Sequence, residues 1–515
     1  MQSSASTGSP TLGEVRASIG LAPRDTALTV LKRGGGVLFP YLHGYTALGQ
    51  LLDALPKDEW RRDEAVLGGL VAYLVKQGHA AQANSYLSAT NLEFDKTYSF
   101  EFCRLLLALH LGDEVADQDL ASWQRLERQL PVTEPLLQGL YHNCMLVMNV
   151  RLGHPGDARI SGQHAISCFR EARHSYLEHF IHIHLADLDL VEGRLRSARR
   201  NLASAESCLS SSAVRYANES AVIEVIRLAI NYEHGFLDRV RPKARHLRAS
   251  LLSGDSWSEL FCQLARISVL STYFLEGITA ARSELAEFQA DYARRHGGSA
   301  VAIELLAAVI ANLEWQPGEA ERIMQATKGA PPQCTIAGTL CAQMRVALEM
   351  EPPSSDTADA PRSLIIAALQ DAHAMRGAKR RGSIEEALRV AVDEGQIAPF
   401  LEHRDAFLGV SSKLATGGFA RGRRTLARFT TNVLKALEQS YVVPEPVNAL
   451  GFNRRQYRVA AALQSGATNK QVARQLGVSE AAVKYHLTAL YRMTGTSRRR
   501  EFIDLMNEIG IYSNY

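Results

Sequence analysis

Between Glu480 and Met493, Val483, Leu487 and Leu490 recur at i, i+4 and i+7, which is one apolar stripe of a helix. That stripe must face inward, against Val472, Leu476, Leu463 and Val459, and it turns Ala481, Lys484, Tyr485, Thr488 and Arg492 outward. A face that joins a cation, a phenol and a hydroxyl suits the major groove of DNA. Lys484 can donate to guanine O6 or N7, Tyr485 can pack against thymine methyls, and Thr488 can reach a base edge or a phosphate. Plainer roles exist for each: a solvated lysine, a tyrosine that shields its helix, a histidine (His486) that packs or caps.

Four short helices must position that face, and each has a start signal. Asn453 followed by Gln456, and Thr468 followed by Gln471, fit capping boxes. Ser479 precedes the third helix and Ser497 the fourth, while Gly466, Gly477 and Gly495 stand where helices should stop. From Gly451 to Tyr515 ten Lys/Arg face four Asp/Glu, a net charge of +6, which leaves −3 for the rest of a chain of net charge +3. A small basic module on a faintly acidic body is the charge layout of a tethered nucleic-acid reader. The proline-containing stretch 441–449 separates this module (450–515) from everything before it.

The preceding region reads as all-α, with apolar residues at helical spacing and few prolines. Gly153, Gly193, Gly235, Gly277 and Gly318 are separated by 40, 42, 42 and 41 residues, in similar surroundings. In each, an apolar helix is expected to end, glycine to take a left-handed turn, and an amphipathic helix to follow. Gly78 and Gly112 mark weaker, earlier copies. Stacked hairpins of this kind build a superhelix and resemble tetratricopeptide units, with a period longer than the usual 34 residues. The expected order is a partly disordered segment (1–40), with Gly34-Gly35-Gly36 a loop, then repeats (41–350), a polar proline-rich loop (351–361) and further helical hairpins (362–440).

Composition narrows the function classes. The chain has 515 residues, 46% apolar and 22% charged, which implies several globular domains. No run approaches the length of a membrane span and no signal peptide is visible, so a cytoplasmic protein without membrane association is expected. Seven scattered cysteines without a CxxC pair fit a reducing compartment. His174, His179, His182 and His184 cluster near Cys144 and Cys168, but no regular spacing completes a metal set. We therefore expect no metal, no cofactor and no catalytic residues.

Residues 452–509 resemble the LuxR/GerE-type helix-turn-helix, through Gly466-Ala-Thr-Asn-Lys-Gln-Val-Ala473, Leu476-Gly-Val-Ser-Glu480 and Val483-Lys-Tyr-His486. The resemblance implies a helix-turn-helix from Asn469 to Thr488 and a recognition helix from Glu480 to Met493. It puts Lys484, Tyr485 and Thr488 at base-contacting positions. Thr468, Asn469, Lys470, Ser479, Arg492 and Arg498 are the matching phosphate contacts, and Phe502, Ile503, Met506 and Ile509 of the last helix the dimer contact. The sequence departs from the family pattern at Gln456 (usually glutamate), Ala482 (usually threonine) and Met493-Thr494 (usually Lys-Leu). These changes weaken phosphate anchoring, which Arg492 and the run Arg498–Arg500 can offset.

Ala387-Leu-Arg-Val-Ala-Val-Asp-Glu-Gly395 and Ala398-Pro-Phe-Leu-Glu402 resemble the region before the DNA-binding domain in large LuxR regulators of the maltose-activator type. Those proteins carry an N-terminal NTPase, whose phosphates require a P-loop. No GxxxxGK[ST] occurs in this chain, and the expectation is a regulator without ATP control. The fold expected is a tetratricopeptide-like superhelix followed by a four-helix LuxR-type domain. The expected function is a regulator that binds double-stranded DNA as a homodimer and senses a small inducer or partner protein on its repeats. The alternative is an interaction scaffold with a degenerate DNA-binding domain.

Overall fold

The computed structural model describes residues 11–509 except 23–24, 58–59, 61, 90–97, 112–116, 212–216, 254–256, 297–299, 315, 328–330, 349, 351–359, 375–376, 405–422, 441–446, 448, 465 and 477. Helices and short turns make up the described residues, with no strand among them.

In the segment 1–40, expected to be partly disordered, the described residues from Leu12 onward are largely helical. Helices α1 (Leu12–Ser18), α2 (Ala27–Arg33), α3 (Phe39–His43) and α4 (Tyr45–Asp53) form there. Val15, Val30, Leu31 and Phe39 are buried in the main core and anchor these helices to the array. Thr11 and Glu14 make a capping box at the start of α1. Gly34 and Gly35 form the turn after α2, as their composition implied, and Gly36 opens a short 3-10 helix (Gly36–Leu38) that leads into α3; residues 1–10 lie outside the described part.

Two hairpins follow: α5 (Glu64–Lys76) with α6 (Ala80–Ser88), and α7 (Tyr98–Leu111) with α8 (Asp117–Glu127). Then come the repeats. They pair α9 (Pro135–Arg151) with α10 (Pro155–Glu171), α11 (Ser175–Glu192) with α12 (Leu195–Ser211), and α13 (Ala217–Glu233) with α14 (Leu237–Ser253). The array continues with α15 (Ser258–Glu276) and α16 (Ile278–His296), then α17 (Val301–Leu313) and α18 (Pro317–Ala326). First helices such as α11 and α15 are buried nearly all round because each packs on its partner and on neighbouring first helices. Second helices are amphipathic: α12 buries only Leu195, Ala198, Leu202 and Ala205. Helices of 17–19 residues explain a period beyond 34.

The glycine period holds at Gly153, Gly193 and Gly235, where φ is 83°, 81° and 78°. It changes character at Gly277, which ends α15 with φ 98° and ψ −172°, and fails at Gly318. Gly318 lies inside the first turn of α18, and Pro317 at the start of that helix sets the entry instead. Gly112 falls outside the described residues.

After the array, α19 (Ile336–Ala347), α20 (Pro361–Ala374), α21 (Gly377–Glu394) and α22 (Ala398–Glu402) fold back onto it, with α19 on α15 and α17, α20 on α11, and α22 on α13. A Cβ on Gly193 would stand 2.3 Å from Gln396 Nε2 and 2.9 Å from the Arg362 backbone nitrogen. Gly193→Ala therefore combines a left-handed φ, worth roughly 1–2 kcal/mol, with a clash against backbone. A urea midpoint equal to wild type would refute this tight docking.

The docked segment closes over four buried charges. Arg266 on α15 bonds Glu233 and Glu402 at 2.7 and 3.0 Å, and Arg362 bonds the same two carboxylates at 2.7 and 2.6 Å. All four side chains are at most 5% exposed, and the Tyr232 hydroxyl donates to Glu402 at 2.8 Å. Arg404 extends the link, donating to the Tyr273 hydroxyl (3.1 Å) and to the Ser440 carbonyl (3.0 Å) at the end of α23 (Arg424–Gln439).

Of the four clustered histidines three are buried, and His174, the N-cap of α11, is half-buried. His179, His182 and His184 all point into the array, because α11 is enclosed on several sides. Burial pushes His184, packed on Trp257, down to about 3, and burial with the nearby His164 pushes His142 down to about 4. Unfolded histidines titrate near 6.5, so below that pH the unfolded chain takes up protons that the folded chain refuses. Stability should fall on acidification from pH 6.5 toward 4, by up to about 1.4 kcal/mol per pH unit for each histidine. A melting temperature unchanged or rising over that range would contradict it.

Candidate nucleic-acid interface

The C-terminal module has its own core, separate from that of the array. Helix α24 (Arg454–Leu463) starts at Asn453, whose side chain accepts from the Arg455 and Gln456 amides at 3.0 Å each. Gln456 returns the bond to the Asn453 amide at 2.8 Å, so glutamine completes the box that a glutamate would make. Helix α25 (Asn469–Leu476) begins the same way, through Thr468 and Gln471. Ser479 caps α26 (Glu480–Thr494) by accepting from the Ala482 amide at 3.1 Å, and Gly495 ends it at φ 67°. The start of α27 (Arg499–Glu508) differs from expectation. Arg498 is the N-cap, and the Glu501 carboxylate receives the amides of Ser497 and Arg498 at 2.9 and 3.1 Å, which lowers its pKa.

Val483, Leu487 and Leu490 are buried against Val459, Leu463, Val472, Phe452, Phe502 and Met506, with Leu476 packed alongside. The opposite face of α26 presents Ala481, Lys484, Tyr485, Thr488 and Arg492 to solvent. Tyr485 is 73% exposed, although an aromatic ring of that size would normally find cover. Lys484 lies 3.4 Å from Glu480, a surface pair one turn away that a phosphate or a base can displace. The Thr488 hydroxyl donates to the Lys484 carbonyl at 3.0 Å, leaving its lone pairs outward.

Around this face the other expected contacts are unequal. Lys470, Arg492 and Arg498 are exposed. Thr468 uses its hydroxyl within its own cap, both accepting from and donating to Gln471. Asn469 accepts from Arg499 at 3.0 Å, so its amide N–H groups remain for another acceptor. Arg499 also donates to the Ala467 carbonyl. It therefore ties α27 to the start of α25, and within the run Arg498–Arg500 only its two neighbours stay exposed. Of the expected dimer contacts, Phe502 and Met506 are fully buried in the module's own core and have no surface left to offer. Ile503 is partly covered and Ile509 is 40% exposed. Sequence alone could not separate these residues, because every position of a ten-residue amphipathic helix on a small core lies near the boundary.

A capped, short α25 followed across a tight turn by α26, with a polar outer face over a sealed apolar seam, defines a helix-turn-helix reader. Residues 451–506 match the family described as bacterial regulatory proteins, luxR family, and the module is a LuxR-type DNA-binding domain. Over 87 residues the chain is 28% identical to the HTH-type transcriptional regulator MalT of Serratia proteamaculans (strain 568). That stretch is 17% of this chain and spans a tenth of the relative's length. No helix among the described residues is long and apolar enough to cross a membrane.

Proposed function

We propose that the chain is a sequence-specific regulator whose α26 enters the major groove. Lys484, Tyr485 and Thr488 meet base edges, while Lys470, Arg492, Arg498, Ser479 and the Asn469 amide hold phosphates. Thr468 joins them only by giving up a cap bond. The observation that carries this reading is the bare outer face of α26: an exposed tyrosine and lysine with no packing task, set over Val483, Leu487 and Leu490. Two copies would meet through the Ile503 and Ile509 side of α27 on a two-part site. The helical array would sense a small ligand or a protein partner and pass its state through α23 to the reader. The aligned relative, itself named a transcriptional regulator, supports the regulatory role.

Capture of genomic fragments by the intact protein, followed by anisotropy titration of the enriched duplex at several salt concentrations, tests this. Specific binding that weakens steeply with salt is expected. Equal affinity for enriched and scrambled duplexes would favour a scaffold with a degenerate reader.

A further inference from the structure

Glu178 and His182 stand one turn apart on α11, and Cys208 lies in the last turn of α12, which returns alongside. In the sequence these histidines lie near Cys144 and Cys168; the fold brings a different cysteine to them. One donor atom from each of Glu178, His182 and Cys208 lies within 4.8 Å of the other two. His182 Nε2 is 3.6 Å from Glu178 Oε1. A tetrahedral zinc site with bonds of about 2.0–2.3 Å has edges of about 3.3–3.8 Å, so one edge is in place and small side-chain rotations supply the others.

A second observation points the histidine at that space. His182 is 7% exposed, its Nδ1 sits 3.4 Å from Asn201 Oδ1, and its Nε2 is buried without a hydrogen-bond partner. The Asn201 amide is itself oriented, because its Nδ2 donates to buried Asp189 at 2.9 Å. Its oxygen must then face the ring, which puts the proton on Nδ1 and leaves the Nε2 lone pair toward Glu178 and Cys208. A ring tied back through its far nitrogen is how proteins present histidine to a metal. Arg170 donates at 2.8 Å to the same Glu178 Oε1 that faces His182, which fixes the carboxylate while that oxygen keeps a lone pair for an ion.

We propose that Glu178, His182 and Cys208 form a three-ligand site for a zinc ion, with the fourth position open to solvent beside half-buried Cys208. The mixed oxygen, nitrogen and sulfur donors select a borderline cation over magnesium or calcium. Binding replaces the thiol proton, so one proton leaves for each ion bound, and a carboxylate plus a thiolate neutralise the dication in a mostly buried place. The ion would pin the open end of the α11–α12 hairpin, the hairpin on which α20 docks, and would give the array an input independent of DNA.

The test uses the full chain, stripped of metal by chelation and reloaded with cobalt(II) or zinc. One equivalent of cobalt with a thiolate-to-metal absorption band is expected, along with a zinc-dependent rise in melting temperature. Cys208→Ser, at a half-buried helix end, should remove the band and weaken zinc more than about 100-fold, and Asn201→Ala should keep the band and weaken zinc about 10–100-fold. Cys168→Ser should change neither. Wild type without the thiolate band, or Cys208→Ser with it, would overturn the site, and helical circular dichroism of each variant shows that it is folded.

Discussion

Replacing Arg362 with methionine should lower the unfolding free energy by about 3–5 kcal/mol, the cost of stranding a buried charge. Glu233 and Glu402 would then share Arg266 alone inside a core that excludes water. Burial by itself would raise the pKa of Glu402, but Arg362 and Arg266 outweigh it and hold the carboxyl below its ordinary value. A depressed carboxylate contributes stability that is present above its unfolded pKa and is lost as pH falls through the folded one. The wild-type clasp should therefore weaken in acid, and the Arg362→Met variant should show less of that dependence. Substituting all four charged residues by apolar ones of similar volume should be far milder than the single change, because no charge is left unpaired. A single variant that melts like wild type would mean that the segment carrying α20 and α22 is not clasped this way.

Lys484→Ala should cost about 1–3 kcal/mol of specific binding, or roughly 10–100-fold on the enriched duplex, with little loss on scrambled DNA. Arg492→Ala should weaken both duplexes alike and reduce the salt slope by about one ion. The contrast matters more than either loss, since a base contact changes specificity and a phosphate contact changes affinity at large. Equal effects of Lys484→Ala on both duplexes would demote Lys484 to a phosphate contact. Neither residue packs on the module core, so a change in fold should not confuse the result.

Local rules made the reader legible from sequence. The Val483–Leu487–Leu490 seam follows from helical periodicity, and the boxes at Asn453 and Thr468 depend only on residues three apart. The array's period was visible because a left-handed turn demands glycine, and it misled at Gly318, where proline at the helix start served the same end. What escaped was non-local. Glu233 meets Arg362 across 129 residues and Arg266 meets Glu402 across 136, and no spacing rule connects such positions. Cys208 escaped similarly, because only the antiparallel return of α12 brings it to Glu178 and His182. Arg499 was indistinguishable from Arg498 and Arg500 until α27 was placed against α25.

The array and the reader bury distinct sets of side chains. Heating should then produce separate endotherms, with no single cooperative collapse. Lesions become compartmental: a ruptured clasp leaves the core of the C-terminal module intact, and a melted module leaves the core of the array intact. Such a layout lets selection exchange the C-terminal module without rebuilding the core of the array.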